Sequence, residues 1–158
     1  MTDADEPGLD RFEFAIRTAI YRVFAADGVA PMIDDLRRIV GGSYDEVLEA
    51  MHRLQRAHLL VLAPGSDRIW MAHPFSAIPT EYPVQTENAS YWANCAWDAF
   101  AIPHLLGVRG WCETLCPESR APLRIEVADD GTADVTPDSG LVHFAVPPKR
   151  FWDNVAYT

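Results

Sequence analysis

The sequence predicts an α+β fold: an N-terminal winged helix (three helices and a hairpin), then one further helix and a small, mostly antiparallel sheet. Three observations predict it. Apolar residues recur at helical spacing through the first third of the chain. In the last third they fall in short runs bounded by Pro, Gly and Asp, the mark of strands. The 158 residues are 49% apolar and 11% aromatic, enough to pack one domain or two small ones sharing a core.

The elements follow in order. Residues 1–11 read as a flexible acidic lead-in. From Phe12 the positions Phe12, Ile16, Ala19, Ile20, Val23 and Phe24 trace one helical face, which Gly28 and Pro31 end. Ile33, Leu36, Ile39 and Val40 share one side of a short second helix over 33–40. Gly41-Gly42 is a turn. Ser43 then caps a third helix, with Glu46 completing a capping box and Val47, Leu48, Met51, Leu54 and His58 along its stripe. Leu59–Leu62 and Arg68–Ala72 read as two strands joined by Pro64-Gly65-Ser66-Asp67. Three helices and a hairpin make a winged-helix domain over 12–80. Pro74, Pro79 and Pro83 mark 73–87 as a linker or extended edge. Asn88 or Ser90 caps a helix from Tyr91 to about Ile102, ended by Pro103 and Gly107. Strands follow at 108–113, 123–127, 133–136 and 141–146, with Asp129-Asp130-Gly131 as a hairpin turn. Residues 81–158 form the second unit.

Charge and cysteine count narrow the function. The formal net charge is −10, and residues 1–80 carry 8 basic and 12 acidic side chains, a net of −4. Nucleic acid and anionic membrane are poor partners for such a chain. The expectation for the winged helix is a structural or dimerising role, and a homodimer is a natural assembly. No apolar run reaches the ~20 residues of a membrane span. The acidic N-terminus is unlike a signal peptide, so the chain reads as cytoplasmic. Cys95, Cys112 and Cys116 are too few for a disulfide framework.

The informative stretch is Tyr91-Trp-Ala-Asn-Cys95-Ala-Trp-Asp98-Ala-Phe-Ala-Ile-Pro103-His-Leu-Leu-Gly107. On a helix Cys95 and Asp98, at i and i+3, share a face. A thiolate is a soft ligand or nucleophile, and a carboxylic acid in an apolar setting can deliver a proton. No Arg or Lys lies between Arg68 and Arg109. The same spacing also suits a packed core cysteine beside a capping or ion-paired aspartate.

These residues resemble a family. Cys95-Ala-Trp-Asp98, followed by Phe100-Ala-Ile-Pro103-His-Leu-Leu-Gly107, is similar to the catalytic helix of organomercurial (alkylmercury) lyases: Cys-Ala-x-Asp, an apolar stretch, Pro and Leu-(Ile/Leu)-Gly. Cys116-Pro-Glu-Ser-Arg-Ala-Pro122 with the strand 123–127 resembles that family's Cys-x-x-(Thr/Ser)-x-x-Pro turn and strand. Leu141-Val-His-Phe-Ala-Val-Pro147 resembles the later strand ending in Pro. The family also carries a winged helix, so the resemblance runs from about residue 12 to 158.

The resemblance implies a lyase-type core over 81–158 and a mercury-resistance enzyme, an alkylmercury lyase that cleaves carbon–mercury bonds by protonolysis. Cys95 is then the thiolate that takes mercury, and Asp98 deprotonates thiol and protonates the departing carbon. Both hold mercury transiently. Mercury is substrate and product, the substrate being a small organometal; no organic cofactor is needed, and external thiol removes Hg²⁺. Cys116 matches a buried structural cysteine; Cys112 has no counterpart. The family's second active-site cysteine falls beyond Thr158. The expectation is therefore either a chain cut short before it or a relative that lacks the second thiol, with a sheet edge or dimer interface left open.

Trp92 and Trp97 flank Cys95 and read either as core packing or as pocket walls for an alkyl or aryl group. His104 reads as a pocket residue or a helix-end surface histidine. Cys112 and Cys116 lack the further ligands of a zinc site. Two other functions stay open: a lyase-fold relative acting on a small metabolite without mercury, and a winged-helix regulator or soft-metal-binding protein without catalysis.

Overall fold

The computed structural model describes residues 8–144 and 146–155. Residues 1–7 of the acidic lead-in therefore lie outside the described residues. Asp10 opens α1 (Arg11–Asp27) through a reciprocal cap. Its carboxylate accepts the Glu13 N–H, and Glu13 accepts the Asp10 N–H, both at 2.8 Å. Glu13 is buried and pairs with Arg53 of α3 (Tyr44–Arg56), which ties the two helices together. Helix α2 (Ile33–Val40) lies where the periodicity predicts it, and Ser43 with Glu46 caps α3 as the sequence predicts. Ile16, Ile20, Phe24, Leu36, Val47, Met51 and Leu54 are all but fully buried between the three helices.

Helix α1 stops at Gly28, which adopts φ 69°. Any Cβ there would sit 2.3 Å from the Ser90 carbonyl oxygen. Only glycine meets both demands.

The strands are β1 (Val61–Leu62), β2 (Ile69–Ala72), β3 (Phe75–Ser76), β4 (Pro83–Thr86), β5 (Ser90–Ala93), β6 (Gly110–Leu115), β7 (Pro122–Val127) and β8 (Ala133–Thr136). They form one eight-stranded sheet ordered β1-β2-β3-β5-β4-β6-β7-β8, antiparallel at every pairing. The chain is thus α+β, with three helices and the β1–β2 hairpin leading into the sheet. The boundary placed at residue 80 falls between β3 and β4 of this sheet. Helix α4 (Ala96–Leu106) packs on β4 to β7. The helix-facing side buries Phe75, Val84, Tyr91, Ala93, Cys112 and Ile125. The Tyr91 hydroxyl donates to the Ala25 carbonyl at 2.8 Å, and Phe75 stacks on Phe24 at 5.2 Å, so α1 shares that face. The opposite face is polar: Arg124 pairs with Glu113 (2.6 Å) and Glu126 (3.3 Å) and covers the Trp111 ring.

Three expectations are corrected. The stretch 73–87 is no linker, since it supplies β3 and β4, and β4 is a central strand. Pro83 is tolerated as the first residue of β4, where a missing N–H costs least. The helix expected from Tyr91 begins at Ala96, because Tyr91 and Ala93 alternate inward as a strand paired on both sides. Pro103 sits inside that helix, which runs on to a Gly107 C-cap. No strand forms over 141–144, where Leu141 is 94% exposed; Ala145 lies outside the described residues. The tail instead makes a short 3-10 helix, Pro148–Asp153.

Among the described residues no helix is long and apolar enough to cross a membrane.

Candidate active site

Cys95 is the N-cap of α4, with extended backbone (φ −150°, ψ 179°), and Asp98 is the third helical residue. They still meet, through a different geometry from the one expected. In a capping position the side chain of residue i turns back over the N–H groups of i+2 and i+3. The Cys95 sulfur forms no capping hydrogen bond within ordinary limits. The N–H groups of Trp97 and Asp98 nevertheless face it and favour its thiolate. Burial acts more strongly, and with the Asp98 carboxylate alongside it pushes the thiol up to about 11. At neutral pH Cys95 is therefore a thiol, and a metal that takes it must displace a proton.

Asp98 is buried, 8% exposed. The fold supplies it with a neighbour that sequence reasoning missed. His73, in the two-residue turn between β2 and β3, brings Nδ1 to 3.5 Å of Asp98 Oδ2. The same Nδ1 lies 3.2 Å from Asn94 Nδ2. The Tyr21 hydroxyl donates to the His73 carbonyl at 2.7 Å and fixes that turn against α1. Nothing local in the sequence signals His73, whose proximity depends on β3 pairing with β5.

The tentative pocket residues separate. Trp97 is 57% exposed and packs on Phe144 (6.0 Å), which packs on Phe151 (5.7 Å); this is an open aromatic cluster beside the N-terminus of α4. Trp92 lies between inward-facing Tyr91 and Ala93, so it points to the other face of the sheet from α4. His104 is exposed in the last turn of α4, against Gly131 of the β7–β8 turn, at the opposite end of the helix from Cys95.

Of the other cysteines, Cys116 departs from expectation. Cys116 is not buried; it is half-exposed in the β6–β7 turn. It organises that turn, with Sγ accepting the Ser119 N–H at 3.5 Å and its own N–H donating to the Ala121 carbonyl at 2.8 Å. Hydrogen bonding from Ser119 lowers its thiol. Cys112 on β6 is the core cysteine, fully buried opposite Val84 and Ile125, and burial pushes it up to about 11.

Comparison with known proteins bears on the fold and the family. The mercury-bound form of MerB2 is similar in fold, with a TM-score of 0.65 and 22% identity. The match covers 83% of this chain and 63% of that one, so this chain spans less than two thirds of its relative's length. A search of curated proteins returns no match. The alkylmercury lyase family model matches residues 75–158, which include β3, Cys95, Asp98 and the whole of α4. With more than half of its length so matched, the chain belongs to the alkylmercury lyase family.

Proposed function

We propose that this protein cleaves the carbon–mercury bond of organomercurials, with Cys95 as the mercury ligand and Asp98 as the proton carrier. The observation that carries this reading is the meeting of the two groups at the start of α4, a soft sulfur against a buried carboxyl.

The steps follow from the groups present. For a substrate R–Hg–X, Asp98 accepts the Cys95 proton while sulfur bonds to mercury and X⁻ departs. Protonated Asp98 then delivers that proton to the carbon. The C–Hg electron pair becomes the new C–H bond, and R–H leaves. Mercury stays on the Cys95 sulfur, its charge balanced by the Asp98 carboxylate, until two external thiolates carry it off. The net change, Cys95–SH plus R–Hg–X to R–H plus Cys95–S–Hg⁺ plus X⁻, uses no proton from solvent and no organic cofactor. The exposed Trp97–Phe144–Phe151 cluster offers an apolar surface for R. At net charge −10 the chain favours a small substrate over nucleic acid.

Proton counting tests this. With one equivalent of phenylmercuric acetate in weak buffer at pH 8, the Cys116→Ser chain, which keeps Cys95 and Asp98 and serves as the background for the variants below, releases benzene and close to no protons. Asp98→Asn binds phenylmercury at Cys95, releases about one proton per mercury and yields no benzene. Cys95→Ser loses mercury from this site, as mass spectrometry of cysteine peptides reports. Benzene release by Asp98→Asn at the native rate would remove Asp98 from the chemistry.

A further inference from the structure

We propose that His73 is a positioning residue that fixes which oxygen of Asp98 carries the proton; this rests on the preceding assignment of Cys95 and Asp98. The carrier must do two things with one carboxyl. It accepts from sulfur and donates to a carbon attached to the same mercury, so one oxygen must stay turned toward Cys95 throughout. A free aspartate side chain rotates and averages its two oxygens.

His73 removes that freedom. Its Nδ1 approaches Oδ2 specifically, at 3.5 Å, from the opposite element of the site, the β2–β3 turn. Occupation of Oδ2 leaves Oδ1 for the sulfur. The imidazole is itself held. Tyr21 anchors its backbone carbonyl at 2.7 Å, and the Trp152 ring meets it edge-on at 5.9 Å. Asn94, next to Cys95, faces the same Nδ1 at 3.2 Å.

The Asn94 amide and the His73 tautomer are linked. With its amide nitrogen toward Nδ1, its Oδ1 is buried without a hydrogen-bond partner among the described residues. Only the contact with Nδ1 orients the amide, and amide oxygen and nitrogen are interchangeable in shape. Turned over, Oδ1 faces Nδ1. The nitrogen then carries hydrogen, flanked by two acceptors, Asn94 Oδ1 and Asp98 Oδ2. His73 in this state presents a donor toward Asp98 Oδ2, 3.5 Å away. Residues of this kind, one step removed from the reacting atoms, commonly change activity by about 10–100-fold.

Two measurements on the full chain decide the point. The first does not depend on turnover. In ¹⁵N NMR of histidine-labelled protein at pH 8, Nδ1 of His73 carries hydrogen, and Asp98→Asn shifts the ring toward the Nε2–H form. An Nε2–H ring in the native chain, unmoved by Asp98→Asn, overturns the proposal. The second, with Cys116→Ser in every chain compared, loads phenylmercury on Cys95 and follows benzene in a single turnover. His73→Leu keeps one mercury at Cys95 but slows release at least tenfold. His73→Asn, whose amide can present a donor near the Nδ1 position, recovers most of the rate. Equal rates for His73→Leu and the native chain overturn the proposal as well. Absence of benzene from the native chain would instead sink the lyase reading, and the NMR result would still decide whether His73 holds Asp98.

Discussion

Cys95, Cys112 and Cys116 show how little residue type alone decides. Burial raises the first two to about 11, whereas Ser119 lowers the third, which is also half-exposed. Because the thiolate is the nucleophile, iodoacetamide at pH 8 modifies Cys116 roughly 100-fold or more faster than Cys95, and leaves Cys112 untouched in the folded chain. Peptide mapping over time measures this, and Cys95 reacting first would contradict the environment described for it. The Cys95 rate then climbs about tenfold per pH step toward 11, since the deprotonated fraction grows so. Mercury titrations are accordingly cleanest in Cys116→Ser. The Cys95–Asp98 pair was legible in the sequence because both routes to contact, helix face and N-cap, bring i and i+3 together. His73 was not, because a strand pairing alone brings it to Asp98.

Among elements, the helices were legible and the central strands were not. Helices α1, α2 and α3 announce themselves by long periodicity and by caps such as Ser43 with Glu46. Strands β3, β4 and β5 have two to four residues each, too short for alternation to rise above the prolines between them. The Tyr-Trp-Ala of β5 also continues smoothly into the apolar helix that follows. Gly28 marks where α1 meets β5 and permits a measurement at this scale. Gly28→Ala combines left-handed backbone with a carbonyl 2.3 Å from the new methyl, and lowers stability by about 2–3 kcal/mol. Gly65→Ala has the same backbone demand (φ 67°) with open space around it, and costs about 1 kcal/mol. Urea unfolding of the two variants compares them; equal losses would mean that the α1–β5 approach is looser than described.

For the whole molecule, the buried thiols tie stability to alkaline pH. A thiol raised from 9.0 to about 11 favours the folded state while protonated. Its contribution is complete below pH 9 and is lost as pH rises through 11. Cys112 alone accounts for about 2–3 kcal/mol of that fall. Cys95 and the raised tyrosines Tyr21, Tyr82 and Tyr91 act in the same direction. Thermal melts from pH 8 to 11 show a steady loss, and Cys112→Ala flattens part of it; an unchanged slope in that variant would place the loss elsewhere. The sheet order has a consequence for synthesis. Strand β5 lies between β3 and β4, although both precede it in the chain. While residues 90–93 remain inside the ribosome, the two earlier strands have no common neighbour, and the emerging chain cannot zip from one edge. The late strand locks the sheet as it inserts. Cys95 follows two residues behind it, so the nascent protein acquires the thiol proposed as its mercury ligand as β3 and β4 are joined.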